Sequence, residues 1–413
     1  MWEFNYGEWT EAYVFLRLLG NGRIYAANAD FKRDSNVYID IINIIRHEKD
    51  HILQFERMME KESVNAYDNK VLFRVLAYSE LTEKADFLYD AIRNVTSNDR
   101  KFSVPEIEDF LKELKFSQPK VPQLPSEVAM KYGKKTDIII TLEDSADHAV
   151  STTGFSVKSH LGSASTLFNT APASNLIYEI EGCTDAEMNE INGNQIDSEI
   201  GMFKYIRENP NLSLKFVGTS EEFQSNLDFV ELTMAEILNC AMLVQIGYYD
   251  RASSSNTSSI IDRVAEINPV NVKRPELWYK AKMKDFLFAS FSGLTATEAW
   301  DGRKRLSGGY IDVNAEGEML YYRAVSDDIF NTFLYEHTFF DRPSRGVKKN
   351  VAKLVAKANL AGCEVSERDM RLVTYKMGAD GKEKKNPVKG DWGYVYKKDD
   401  KFYISINFQV RFK

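Results

Sequence analysis

The chain has 413 residues, 44% of them hydrophobic and 28% charged, with a formal net charge of −8. At about 150 residues per domain this length accommodates two or three folding units, and the balance of apolar and charged residues excludes a disordered or fibrous chain. No apolar run approaches the ~20 residues needed to span a bilayer, and the opening MWEFNYGEWTE lacks the basic and apolar regions of a signal peptide, so a soluble, cytoplasmic protein with no membrane partner is expected.

Taken in chain order, residues 7–19 (GEWTEAYVFLRLL) place Trp9, Ala12, Tyr13, Leu16 and Leu19 at helical spacing, and Gly20 with Asn21-Gly22 marks a stop. The β-branched runs 37–45 and 71–77 read as strands. A short helix is expected over 104–114, with Ser103 as N-cap, Pro105 in the first turn and Glu106 completing a capping box; residues 118–125 then read as a linker. Two strands, 137–142 (DIIITL) and 154–158 (GFSVK), flank the acid-rich loop 143–153. Helices are expected at 228–248, with Leu232, Ile237, Leu238, Met242 and Leu243 on the buried face, and at 275–290, with a flexible loop at 253–259 (SSSNTSS). Tyr248, Tyr249 and Trp278 fall at helical spacing with apolar neighbours and are assigned to the core. Strands are expected at 309–313, 319–323 and 402–412. The fold class is therefore mixed α+β, with an N-terminal α+β region at 1–115, a central region at 126–300 and a β-rich C-terminal region at 301–413.

Charge is distributed unevenly. Residues 341–413 hold 18 Lys+Arg against 9 Asp+Glu, or +9, which leaves −17 for the first 340 residues. The basic end can face a polyanion, although single runs such as 382–385 and 397–401, taken alone, read first as solvated turns. Three widely spaced cysteines, Cys183, Cys240 and Cys363, fit neither a disulfide framework nor a zinc site and read as buried thiols.

Two motifs bear on chemistry. His47-Glu48-Lys49-Asp50-His51 matches H-E-x-x-H, the zinc-binding pattern of metalloproteases. That site needs an apolar helix, whereas the preceding VYIDIINII is strand-like and the intervening residues are charged, so the protease reading is set aside as an unfavoured alternative. The second is Asp137 at the head of one strand with Ser156-Val157-Lys158 on the next. A carboxylate can hold Mg²⁺ against a phosphate while a nearby ammonium orients and helps deprotonate water, the design of PD-(D/E)XK nucleases. Ser156 stands where a second acid is expected, and the acid can instead come from the first helix, at Glu11 or at the near alternative Glu8.

GEWTEAYVFLRLL, the block at 153–180 (TGFSVKSHLGSASTLFNTAPASNLIYEI), GGYIDV at 308–313, PSRG at 343–346 and FYISINFQVRF at 402–412 stand in an order that resembles the HpaII family of type II restriction endonucleases. The resemblance implies a PD-(D/E)XK core, Mg²⁺-dependent hydrolysis of double-stranded DNA and a short palindromic GC-containing target, CCGG or a related site. Under it Glu11 and Asp137 hold the metal with the Val157 carbonyl as a further ligand, and Lys158 activates water. A homodimer could straddle the palindrome, and a cognate methyltransferase would act on the same site. A DNA-binding protein with an impaired site is the alternative, because Ser156 replaces an acid. Arg303, Arg305, Arg342 and Arg345 are the candidate guanine readers, and Ser159, His160, Ser165, Thr166 and Asn169 could meet the strand being cut.

Overall fold

The computed structural model describes residues 1–28, 30–95, 101–162, 165–192, 199–303, 308–323, 328–341, 364–368, 371–377, 383–387 and 394–413. The first helix, α1 (Tyr6–Asn21), leads into five strands, β1 (Arg23–Ala27), β2 (Arg33–His47), β3 (Ile52–Met58), β4 (Ser63–Asp68) and β5 (Val71–Ala77). Helices α2 (Tyr78–Arg93), α3 (Pro105–Glu113) and α4 (Ser126–Tyr132) precede the strand pair β6 (Ile138–Asp144) and β7 (Val150–Ser159). Next come β8 (Thr166–Phe168), β9 (Leu176–Glu181), α5 (Asp185–Asn192), α6 (Glu199–Glu208), β10 (Ser213–Gly218) and four helices, α7 (Glu221–Asp228), α8 (Met234–Ile246), α9 (Thr257–Ile267) and α10 (Pro275–Phe291). The remainder is β11 (Gly309–Val313), β12 (Met319–Arg323), α11 (Asp328–Glu336), β13 (Thr338–Phe340), β14 (Glu364–Arg368), β15 (Arg371–Met377), β16 (Glu383–Pro387), β17 (Val395–Lys398), β18 (Lys401–Ile406) and β19 (Val410–Phe412). The class is mixed α+β, as composition and pattern anticipate.

The nine-stranded sheet runs β1-β12-β11-β7-β6-β2-β3-β4-β5, and β1 also pairs with β2, so the hydrogen-bonded path from β1 through β12, β11, β7 and β6 returns to β1 through β2. The fifteen-residue β2 makes this possible because one of its edges carries β1 at its start and β3 from Asn43 onward. This sheet draws strands from 1–115, 126–300 and 301–413 alike. Smaller sheets are β10-β9-β18-β17, β13-β19-β8 and β14-β15-β16. The expected single strand at 402–412 is thus two strands in different sheets, separated by residues 407–409. Alternation alone hides such a break.

Two apolar cores lie on the faces of β11 and β12: Ile311, Val313 and Tyr321 join α1, α2 and α3, whereas Tyr310, Leu320 and Tyr322 join the helices α8 to α11. Helix α1 is buried on more than the expected stripe, since Val14, Phe15 and Leu18 are covered as fully as Trp9 and Leu16. It continues past Gly20 to Asn21 and is capped by Gly22 in the left-handed conformation, φ 75°. Gly20 serves close packing instead: a Cβ there would lie 2.5 Å from Thr82 Oγ1 on α2.

Other expectations shift. Helix α3 has Val104 as N-cap with no side-chain cap bond, and neither Ser103 nor Glu106 forms the expected box; Glu106 instead accepts from Lys84 Nζ at 2.7 Å. The stretch expected to be one helix from 228 is split, α7 ending at Asp228 and α8 starting at Met234, and Leu232 in the break is 73% exposed. The serine-rich run is only partly loop, because α9 begins at Thr257. Tyr249 is 37% exposed, whereas Tyr248 and Trp278 pack partly buried against the core. Cys240 is buried and Cys183 half-buried, and Cys363 lies outside the described residues. No helix among the described residues is long and apolar enough to cross a membrane.

The H-E-x-x-H match is a hairpin turn: His47 ends β2, His51 precedes β3, and His47 pairs with Ile52. Glu48 is buried and accepts from Arg46 Nε at 2.6 Å and from the Ser117 hydroxyl. Arg46 in turn donates to the carbonyls of Gln118 (2.7 Å) and Lys120 (2.6 Å), with its guanidinium 3.9 Å from the centre of the Phe116 ring. The glutamate is structural, and it fixes the expected linker. Glu48→Ala strands a buried guanidinium and should cost about 3–5 kcal/mol in denaturant unfolding; a loss below ~1 kcal/mol would show the pair to be dispensable.

Candidate active site

Strand β7 is flanked by antiparallel β6 and parallel β11, but the two partners do not extend equally far. β6 pairs with it only up to Phe155, opposite Ile138, whereas β11 continues to Ser159. Beyond Phe155, the edge of β7 that faces β6 therefore presents backbone polar groups to something other than a strand. Asp137 fills that role: its N–H donates to the Phe155 carbonyl at 2.8 Å, and its Oδ2 accepts from the Val157 N–H at 2.8 Å and from Ser156 Oγ at 2.9 Å. The carbonyl of a strand residue leaves on the same edge as its N–H, so that of Val157 is directed to this side too.

Gly154 makes the approach possible. A Cβ there would lie 2.6 Å from Thr136 Oγ1 and 2.7 Å from its Cγ2, so the segment before Asp137 packs onto bare backbone. Thr136 is itself pinned by its hydroxyl, which donates to the Tyr132 carbonyl at 2.6 Å.

Glu11 arrives from α1. Asn5 and Glu8 form a capping box that sets the helix start, and the hydroxyls of Thr10 and Ser159 are hydrogen-bonded at 2.8 Å, tying α1 to β7. Glu11 Oε2 accepts from the Val121 N–H at 2.9 Å, within the linker that Arg46 clamps. Burial pushes the Glu11 carboxyl well above the usual range, the negative charge of Asp137 adds to this, and the Val121 N–H, Arg46 and Lys158 oppose it. Glu8, the other candidate, is committed elsewhere: one oxygen accepts from Lys120 Nζ at 2.5 Å and the other from the Asn5 N–H at 2.9 Å. Two carboxyl groups brought to one place, with the charge of Asp137 adding to the effect of burial on Glu11, are a donor set suited to a hard divalent cation.

Lys158 lies on β7, half-buried, and no ion pair to it occurs among the described residues. Lys135, which the sequence pattern hid in the turn GKKTD, is also here: burial, then the charge of Lys158, pushes its ammonium down to about 7 while Asp137 opposes, and its Nζ donates to the Ser290 carbonyl at 2.5 Å. Asp312 was likewise missed, inside GGYIDV. It is the register partner of Lys158 on β11, and its Oδ1 accepts from Tyr310 OH (2.7 Å) and meets His160 Nε2 (2.9 Å). A lone carboxylate inside an apolar strand was the available signal.

The remaining candidates are dispersed. Ser159 is buried, its hydroxyl also accepting from the Leu161 N–H at 3.1 Å. His160 is bridged to Asp312 and to the backbone of Lys413. Thr166 lies on β8, paired with Arg411; Asn169 is exposed beyond that strand, and Arg303 is exposed after Gly302. Arg305, Arg342 and Arg345 lie outside the described residues.

Two acids and an ammonium converging at the open edge of a strand suit hydrolysis at phosphorus with a divalent cation. The model of the HpaII restriction endonuclease family matches residues 5–355. The chain is 27% identical over 413 residues to the type II restriction enzyme HpaII of Haemophilus parainfluenzae, covering 99% of this chain and 98% of that enzyme. No solved structure matches. The chain belongs to the HpaII restriction endonuclease family and is a type II site-specific endonuclease. Of the five sequence blocks that resemble the family, the one at 402–412 lies beyond the matched span.

Two outcomes are expected. Gly154→Val should displace Thr136 and Asp137 and reduce DNA cleavage at least tenfold while the protein stays folded by circular dichroism; unchanged cleavage would show that the close approach is not needed. The Asp312 carboxylate, ahead of the Lys413 backbone contact, holds His160 above its ordinary value. A raised folded pKa contributes stability below about pH 6.5 that disappears as pH rises through the raised value. His160→Gln should thus destabilise the fold more at pH 5.5 than at pH 8.5 in urea unfolding; Asp312, Tyr310, Lys413 and His337 surround the ring, and an equal effect at both pH values would remove the charge from the account.

Proposed function

We propose that this enzyme hydrolyses phosphodiester bonds of double-stranded DNA at a short palindromic GC-containing site, CCGG or a related one, with Mg²⁺, as the nuclease of a restriction-modification system with a PD-(D/E)XK core. The observation that carries the reading is the meeting of Glu11, Asp137 and Lys158 at the edge of β7 that β6 leaves open. Glu11 and Asp137 would hold Mg²⁺, with the Val157 carbonyl as a further ligand. The bound ion supplies Lewis acidity, stabilising charge on the phosphoryl oxygens and on the departing 3′ oxygen. Lys158 orients the attacking water and stabilises the hydroxide that forms as it loses its proton. That water adds to phosphorus as the 3′ oxygen leaves, which yields 5′-phosphate and 3′-hydroxyl ends. Ser156, where an acid was expected, supports Asp137 by donating to it and so favours a working site over an impaired one.

For DNA recognition, Arg303 and Asn169 offer exposed side chains, and Arg305, Arg342 and Arg345, outside the described residues, are further candidate base readers. Ser159, His160 and Thr166 act through the segment they hold. A homodimer would place one such site on each strand of the palindrome.

Plasmid cleavage with and without Mg²⁺ tests the reading. Asp137→Ala and Lys158→Ala should abolish cleavage while leaving duplex binding within a few-fold, and Glu11→Gln should cut the rate by about 10²-fold or more with partial rescue by Mn²⁺. If Glu8→Gln is the damaging change and Glu11→Gln is not, the helix register of the site is refuted. Arg303→Ala, if Arg303 forks onto a guanine, should cost about 1–3 kcal/mol in binding and relax selectivity at that base pair; uniform weakening on every sequence would make it a phosphate contact.

A further inference from the structure

Asp137 also lines a cavity of about 480 Å³ between residues 121–126, α4 and the loop that carries Glu298. Leu124 and Met130 give the cavity an apolar flank, and Gln123 and Lys134 a polar one. Its volume lies within the ~300–1,000 Å³ of sites that hold one small molecule, so a sugar with its base fits. Lys134 Nζ and Glu298 Oε2 pair at 3.3 Å, with side chains 56% and 68% exposed, so the pair lies at the rim. An ion pair so open to water is weak and exchangeable.

We propose that this cavity seats the nucleotide next to the scissile phosphate, and that the neighbouring phosphate takes Lys134 from Glu298. The proposal rests on the nuclease reading. A strand whose reacting phosphate lies at Asp137 must continue past that carboxylate, and on this side the cavity is what lies beyond it. Lys134 is three residues from Asp137 and separated from it by Lys135 and Thr136, both bonded down, so its ammonium is held near the reacting phosphate by the same segment that positions the acid. Glu298 competes with that phosphate for Lys134 and repels it once the pair opens, so Glu298 lowers the affinity that Lys134 contributes.

The test is equilibrium binding of a fluorescent duplex containing the cleavage site, in the Lys158→Ala background so that the duplex stays intact. Lys134→Ala should weaken binding by about tenfold and lower the slope of log affinity against log salt by about one. Glu298→Gln should tighten binding. Both side chains are exposed, so neither change threatens the fold. Replacing single phosphates by methylphosphonates along the strand should erase the Lys134→Ala difference at the phosphate adjacent to the cut and at no distant one. The seat is overturned if both variants bind as the parent does, if Glu298→Gln weakens binding, or if the neutral phosphate that erases the difference lies several nucleotides from the cut. Cleavage by the unaltered protein separates the two levels. Cleavage with silent Lys134 and Glu298 changes removes the seat alone, whereas a protein that neither binds nor cuts DNA removes the nuclease reading with it.

Discussion

The Val157 N–H donating to Asp137 Oδ2 is the contact on which the site depends. It exists because β6 stops pairing with β7 at Phe155 while β11 continues to Ser159, which leaves an N–H in the middle of a sheet without a strand to receive it. A buried backbone donor must be satisfied, and here a carboxylate does so. The same side chain is thereby fixed against the strand that carries Lys158. Gly154 removes the Cβ that would hold the two segments apart, and Thr136 fills the space.

Around that contact the fold acts as a set of clamps. Arg46 and Glu48 hold the residues after α3, those residues supply the Val121 N–H that receives Glu11, and Thr10 with Ser159 ties the helix of Glu11 to the strand of Lys158. Asp312, braced by Tyr310 and His160, stands beside Lys158 on the neighbouring strand. Burial, with the negative charge of Asp137 adding to it, raises the affinity of Glu11 for a proton. The burial that raises it also strengthens whatever electrostatic interaction replaces the proton.

Much of this was legible in the sequence. β5, β11 and β12 fall on the expected bounds, and β6, β7 and α10 differ at their ends by a few residues, because strong local periodicity or β-branching decides them. Asp137 and Lys158 were legible because a charge in an apolar strand is costly and needs a reason. Other features depend on distant partners. The return of β1 to β2 pairs residues whose register no local pattern encodes, and the break at 407–409 in the final alternating stretch is set by which sheet each half joins. Leu232 looked buried because it keeps helical spacing, but the chain turns out of the helix there. His47 and His51 matched a metal motif by spacing alone, and the hairpin that separates them follows from β2 and β3 pairing. Lys135 could not be distinguished from any turn lysine until α10 brought the Ser290 carbonyl to it.

The central claim is that Glu11 and Asp137, carried by different elements, form one cation site against the strand of Lys158. The most direct measurement is an anomalous difference map from crystals of the protein with Mn²⁺ and a duplex that resists hydrolysis. The account predicts a peak coordinated by both carboxylates, with the scissile phosphate beside it. A peak that engages Asp137 without Glu11, or one at the hairpin of His47 and His51, would contradict it.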